Sequence, residues 1–264
     1  MYDFAYQKPT GLADAVKVLG ADTEAKALAG GQTFIPVLKQ RLNKPTTVVD
    51  LSKLGMKGIS VSGGVATIKA MTTHHEIATD PALKSAFKAL ADMASMIGDH
   101  QVRHRGTMGG SLANNDPSAC YPSAVLATGA TIKTDRRSLK AHEFFQGMFT
   151  TALEPGELIT EISFPIPTKA AYMKFRNPAS RYAMVGVFVA QTKEGARVAV
   201  TGASQGGVFR HKAFEAALDK SWSADALNGI ATPADGLNSD IHASAEYRAH
   251  LVGVMAKRAV AIAS

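Results

Sequence analysis

Residues 102–124 read VRHRGTMGGSLANNDPSACYPSA, and the fold turns on how this segment is taken. It sets Gly109-Gly110 behind Thr107, follows with Ser111, Asn114, Asn115 and an Asp116-Pro117 turn, and reaches Cys120, the only cysteine of the chain. Paired glycines adopt conformations closed to other residues and let backbone N–H groups approach a ligand closely, while neighbouring Thr and Ser add hydroxyl donors. A second stretch, AGGQTF at 29–34, has the same grammar. Neither is a Walker loop or a G-x-G-x-x-G fingerprint, so the nucleotide sites most easily read from sequence are absent. Taken singly, each Gly-Gly pair reads first as a tight turn. The two together read as a cradle for phosphate oxygens, and a helix after each would add partial positive charge at the same point. Arg103, His104 and Arg105, just before the second loop, either balance an anion or form a solvated basic turn.

Upstream, Leu12, Ala15, Val16 and Leu19 recur at helical spacing with Gly20 as a stop. A strand at 26–29, the AGGQTF turn, a short helix in IPVLKQRL and a buried strand around Val48, Val49 and Leu51 complete a small α/β lobe. ISVSGGVATIKA is a hairpin by its turn chemistry. DPALKSAFKALADMASMIG then predicts one long helix, with Asp80 as N-cap, Pro81 in the first turn and Gly98 near the stop. Downstream, SAVLATGA predicts a helix end, and TIKTD and GELITEISFPIP predict strands. YMKFRNPASRYAMVGVFVAQTKEGARVAVTGAS supplies three more strands, and HKAFEAALDK and SAEYRAHLVGVMAKRAVAIA supply two amphipathic helices. The expected class is α+β, in units 1–56, 57–168 and 169–264.

With 264 residues and 46% apolar content, the chain can bury a substantial core. One cysteine excludes a disulfide framework, an all-cysteine zinc site and an iron–sulfur cluster carried by this chain alone. No apolar run approaches the roughly 18 residues needed to span a bilayer, and the first residues lack the basic and apolar regions of a secretory signal, so membrane insertion is not expected and a cytoplasmic location is. A formal charge of +7 favours an anionic ligand or an acidic partner. The basic residues are dispersed without aromatic companions, which argues against nucleic acid.

AGGQTFIP, VRHRGTMGGSLANNDPSACYPSA, PGELITEISFP and YMKFRNPASRYAMV, in this order and spacing, resemble the FAD-binding medium subunit of molybdenum hydroxylases, the carbon monoxide dehydrogenase and xanthine dehydrogenase family. The resemblance covers essentially the whole chain. It implies a two-lobed FAD-binding fold of the vanillyl-alcohol-oxidase (PCMH) type, with FAD between the lobes, and a C-terminal flavoprotein domain of antiparallel sheet plus helices. It also implies that Ala29, Gly30, Gly31, Gln32, Thr33 and Phe34 form one pyrophosphate loop. Thr107, Gly109, Gly110 and Ser111 form the other, with Asn114 nearby, and Ile159 and Lys174 approach the flavin. The implied role is electron transfer within a complex, a heterotrimer or dimer of heterotrimers. A molybdopterin-binding large subunit and a small subunit with 2Fe-2S clusters pass electrons to FAD here, and FAD passes them to an external acceptor.

One position departs from the pattern. Many relatives carry Asp where this chain has Cys120, and a thiol is a weak donor and poor acceptor. Asn114, Asn115 or Asp116 then takes the cofactor contact, or the cofactor is held with fewer polar contacts. A nucleophilic Cys120 is the lesser reading beside a small buried apolar residue. His74-His75-Glu76 and the pair His100 and His104 lack a third ligand and read as structural rather than metal-binding. Met93, Met96 and Met255 read as core, and Trp222 as packing or interface. Two other functions stay open: a self-contained FAD oxidoreductase, and a non-enzymatic binding or assembly protein that keeps the fold.

Overall fold

In the computed structural model, which describes residues 1–263, the chain opens with β1 (Ala5–Gln7), α1 (Leu12–Ala21), β2 (Lys26–Leu28), α2 (Phe34–Lys39) and β3 (Thr47–Asp50). The strands pair in parallel in the order β1-β3-β2. Ala15 and Leu19, four apart on α1, share a small core with Val49, Leu51 and Leu158.

The next sheet begins with the hairpin of β4 (Ile59–Ser62) and β5 (Val65–Lys69), turned by Gly63 and Gly64 at φ +57° and +75°. Two consecutive positive φ values define a type I′ turn, whose twist matches the strands it joins. Six helices follow: α3 (His74–Thr79), α4 (Pro81–Ala86), α5 (Lys88–Ser95), α6 (His100–Arg105), α7 (Met108–Asn114) and α8 (Tyr121–Thr128). β6 (Thr131–Thr134), β7 (Ser138–Lys140), α9 (Ala141–Phe144), the small hairpin β8 (Phe145–Gly147) with β9 (Thr150–Thr151), and β10 (Ile159–Pro165) complete this part. The sheet order β4-β5-β10-β6-β7 is antiparallel throughout.

β11 (Lys169–Arg176), β12 (Ala183–Thr192), β13 (Gly195–Thr201) and β14 (Phe209–Arg210) then form an antiparallel sheet in chain order, packed by α10 (Lys212–Lys220) and α11 (Ala245–Ile262). Successive side chains of a strand point to opposite faces, and here both faces are covered. Val185, Val187 and Val189 of β12 join Leu251, Val252 and Met255 of α11, while Phe188 and Ala190 join the core of the preceding sheet and its helices. The expected α+β class and C-terminal antiparallel sheet are thus found. No helix among the described residues is long and apolar enough to cross a membrane.

Three local expectations change. The helix predicted across 80–98 is broken at Phe87, whose φ of −144° and ψ of 64° leave the helical region. The break buries its ring edge-on against Phe164 and Phe188, at centroid distances of 6.4 and 6.3 Å, so tertiary packing overrides helix propensity. Asp80 and Pro81 still start a helix as expected, with the Asp80 carboxylate accepting from Leu83 N–H. Second, the basic triplet 103–105 forms the last turn of α6, which Asp99 caps, with His104 and Arg105 exposed. Third, Gly109 and Gly110 belong to the first turn of α7.

Arg248 ties α11 to the sheet. It is buried, and its Nη1 donates to the carbonyls of Met184 and Gly202 at 2.6 and 3.1 Å, while Nη2 meets Asp240 at 2.7 Å. Arg248→Leu leaves both carbonyls without a donor and should lower stability by about 3 kcal/mol. Asp240→Asn, at a side chain 44% exposed, should cost about 1 kcal/mol or less. Urea unfolding of the two variants checks this ordering.

Candidate functional site

The first glycine segment leaves β2 and turns before α2. Gly31 takes φ +73°, and Gly30 lies so close to the α6–α7 junction that a Cβ on it would sit 2.1 Å from the Arg105 carbonyl oxygen and 2.7 Å from Gly106 Cα. The two segments singled out in the sequence therefore touch. Gly30, Gly31, Gln32 and Thr33 make no N–H bond to a backbone carbonyl among the described residues, which leaves a row of donors beside a cavity of about 630 Å³. Ligand sites of this kind span roughly 300–1,000 Å³ and combine apolar lining with a few convergent polar groups.

The second segment works differently. Met108 and Gly109 donate their N–H groups to the carbonyls of Thr72 and Ala70, at 3.1 and 2.9 Å, and Thr107 Oγ1 accepts from Gly110 N–H at 3.2 Å as the N-cap. Those amides are already engaged. The glycines serve close packing instead: a Cβ on Gly109 would meet Ala70 Cβ at 2.6 Å, and one on Gly110 would meet Ala29 Cβ at 3.3 Å. What α7 offers the cavity is side chains, since Ser111 and Asn114 both line it and form no side-chain hydrogen bond within the chain among the described residues. With six and seven residues, α2 and α7 are short, so the individual donors matter more than helix dipoles.

The residues that the resemblance implies for the cofactor all line this cavity. Ala29 through Phe34 form one wall, Thr107, Gly109, Gly110, Ser111 and Asn114 a second, and Cys120, Ile159 and Lys174 a third that is buried. Lys174 Nζ donates to the Arg181 carbonyl at 3.0 Å and lies 3.5 Å from Cys120 Sγ. Asn115 does not line the cavity: it is buried at φ +43°, and its Nδ2 donates to the carbonyls of Gly147 and Thr150 at 2.7 and 2.8 Å. It latches the β8–β9 hairpin to the end of α7.

Asp116, one of the alternatives named for the cofactor contact, lines the cavity, and so do His74, Glu157, Arg181 and Tyr182, which the sequence reading did not assign to it. Glu157, Arg181 and Tyr182 lie inside the quoted segments without an assigned place. The buried carboxylate of Glu157 is gripped by Arg137 at 2.9 Å, Thr134 at 2.7 Å and Glu154 N–H at 2.8 Å. Burial alone would raise its pKa, but these bonds outweigh it and hold the group at about 2. Asp116 goes the other way, because burial raises its pKa against a single opposing bond from Ser118 N–H.

The histidines fill structural places. His74 Nδ1 lies 3.2 Å from Tyr121 Oη, His75 stacks on His104 at 4.0 Å, and Glu76 closes a capping box with Thr73. No group of three metal-ligating side chains is gathered among the described residues. Met93 and Met255 are core, and Trp222 packs against the C-terminal core.

Burial, reinforced by the charge of Arg103, takes the pKa of His74 down to about 4. The unfolded chain binds this proton more readily, so the stability His74 supports is complete above its ordinary pKa of about 6.5 and is lost as pH falls from there to about 4. The full effect is about 3 kcal/mol. His211, whose pKa burial also lowers, adds to the slope in the same direction. His74→Gln should flatten the fall in unfolding free energy between pH 6.5 and 5, as read by denaturant titration at several pH values.

Comparison with known proteins bears on both parts of the chain. Residues 2–167 match the family described as the FAD binding domain in molybdopterin dehydrogenase, and residues 170–263 match the CO dehydrogenase flavoprotein C-terminal domain. The carbon monoxide dehydrogenase medium chain of Afipia carboxidovorans is 32% identical over 274 residues, covering 97% of this chain and 95% of that one. The glyceraldehyde dehydrogenase medium chain of Sulfolobus acidocaldarius is 33% identical, covering 97% of both. The crystal structure of quinoline 2-oxidoreductase from Pseudomonas putida 86 superposes with a TM-score of 0.88 at 30% identity, over 98% of this chain and 96% of that one.

Proposed function

The chain belongs to the FAD-binding subunits of the molybdopterin dehydrogenases, and on that premise we propose that it is the electron-transferring medium subunit of a molybdenum-containing hydroxylase. In this reading a small partner subunit with 2Fe-2S clusters delivers electrons to FAD on this chain, and an external acceptor removes them. A large partner subunit holds the molybdenum cofactor. The medium-chain names of the relatives support a complex with larger and smaller subunits, and in this reading it is a heterotrimer or dimer of heterotrimers in the cytoplasm. The single cysteine agrees with clusters held elsewhere.

One observation carries the assignment of the site: two glycine segments far apart in sequence meet at one cavity, with unengaged N–H groups on one side and a buried polar wall on the other. That donor set fits a diphosphate joined to an aromatic ring system. The N–H groups of Gly30 to Thr33 bind the pyrophosphate, with the Ser111 hydroxyl and the Asn114 amide opposite. Ile159, Cys120 and Lys174 face the flavin ring, and Gly109 and Gly110 keep α7 close enough for its side chains to reach. In this reading the cofactor would lie between units 1–56 and 57–168, with Lys174 of unit 169–264 completing the third wall. Bound FAD supplies the exchange of electrons singly or in pairs, and the protein's residues position it and set the surrounding field.

Gly30→Ala tests this at the tightest contact. With no room for the methyl group, the two segments must separate, and the purified variant should retain below about a tenth of the wild-type flavin absorbance, a loss of 1.4 kcal/mol or more in binding. Gly110→Val should behave similarly. Gly20→Ala, whose Cβ meets nothing within 4 Å, should keep its flavin. Full occupancy in Gly30→Ala would refute the site. Affinity purification from the native host should bring down a large and a small subunit with molybdenum and iron; a lone active flavoprotein would point to a self-contained oxidoreductase instead.

A further inference from the structure

Lys174 is the only lysine buried among the described residues, and it belongs to no ion pair there. The chain treats its other deeply buried cation differently, giving Arg248 both backbone carbonyls and the carboxylate of Asp240. Lys174 has the Arg181 carbonyl and the sulfur of Cys120, neither of which is a carboxylate. Two carboxylates line the same cavity, Glu157 and Asp116, and neither lies within 4.0 Å of Nζ. Glu157 is already matched by Arg137, and Asp116 accepts from Ser118 N–H. Tyr172, next but one to Lys174, carries a buried hydroxyl with no partner, and a neutral phenol supplies no counter-charge. A charge in a dry site is felt far more strongly than one in water.

We propose that Lys174 stands beside the flavin ring as an uncompensated positive charge because its neighbour Cys120 is a thiol, and that this charge raises the flavin's midpoint potential. The inference rests on the placement of FAD given above. Two-electron reduction with uptake of one proton turns the neutral flavin ring into an anion, and a nearby cation favours that product over the oxidised form. A carboxylate at position 120 would sit against the ammonium and cancel the effect. In this chain the thiol occupies the place a counter-ion could take, so the field at the ring stays positive.

The test is the ratio of dissociation constants for oxidised and reduced FAD, or equivalently the midpoint potential by anaerobic spectroelectrochemical titration, on the full chain reconstituted with FAD. Lys174→Met and Cys120→Asp should each shift the ratio about tenfold against the reduced form, which for a two-electron couple is about 30 mV towards more negative potential. Lys174→Arg and Cys120→Ser, which keep the local net charge, should stay at the wild-type value. A merely structural role for either residue would weaken both oxidation states alike and leave the ratio unmoved. Wild-type potential in both Lys174→Met and Cys120→Asp, or a rise in Cys120→Asp, would overturn the proposal. If Cys120→Asp fails to fold by circular dichroism, the Lys174→Met and Lys174→Arg pair decides; if Lys174→Met loses FAD altogether, Cys120→Asp against Cys120→Ser decides. Wild-type protein that takes up no FAD would refute the proposed function itself, an outcome distinct from bound FAD with an unshifted ratio.

Discussion

The site depends on an approach between two stretches of backbone: Gly30 lies against Arg105 and Gly106 with no room for a side chain between them. The rest of the site is stacked behind that contact. Gly106 lacks a Cβ because the ring of His74 occupies the space, 2.5 Å from where the Cβ would be, and its carbonyl accepts from His74 N–H at 3.0 Å. His74 in turn lies against Tyr121, the first residue of α8. On the other side of Gly106, the N–H groups of Met108 and Gly109 fasten α7 to the carbonyls that follow β5. One run of close approaches thus fixes the distance between the unengaged amides of the first segment and the side chains of the second. A histidine held neutral by burial is part of that spacing, so protonation and site geometry are linked through the same packing.

The C-terminal sheet does more than cover a core. Thr201 Oγ1 donates toward the carbonyls of Pro117 and Ala119, both at 2.7 Å, and Gly202 N–H donates to Pro117 at 2.7 Å. The end of β13 therefore grips the turn that delivers Cys120, while β11 delivers Lys174 to the same place. β12 supports this with two buried faces, one against α11 and one against the neighbouring helices. A sheet buried on both sides cannot shift by one residue without exchanging its two hydrophobic sets, so the register that positions Lys174 is strongly specified.

Much of this was legible because periodicity and turn chemistry are local. The Ser-Gly-Gly turn announced its hairpin, and the three strands of the C-terminal sheet appeared as apolar runs with a Lys-Glu-Gly turn between two of them. The break at Phe87 was not legible, since it depends on Phe164 and Phe188, which lie far along the chain. At 109–110 the amide of Gly109 is spent on the Ala70 carbonyl and that of Gly110 on Thr107 Oγ1, partners that the sequence does not reveal, because it shows that a backbone can approach something but not what it approaches. Asn115 was noticed for its amide, yet its role as a left-handed latch to Gly147 and Thr150 depends on a hairpin distant in sequence. Glu157 stands inside the PGELITEISFP motif, but its role resides in Arg137 and Thr134, which the motif does not include.

The disposition of charge gives the cavity a sign. Asp50, at the end of β3, is matched: burial would raise it, but Tyr6, Ser52 and Lys8 outweigh that and hold the group at about 2. Of the two acids at the cavity, Glu157 shares its charge with Arg137, and burial pushes Asp116 toward its neutral form. The cations behave otherwise, since Lys26, Lys174 and Arg181 all line the cavity and none forms an ion pair among the described residues. Free N–H groups add partial positive charge along the first wall. Low-dielectric walls strengthen the field of these unpaired cations and amides inside the cleft, which suits an anion. The same distribution disfavours a cationic or purely apolar occupant, because either would leave these donors and ammonium groups desolvated without partners.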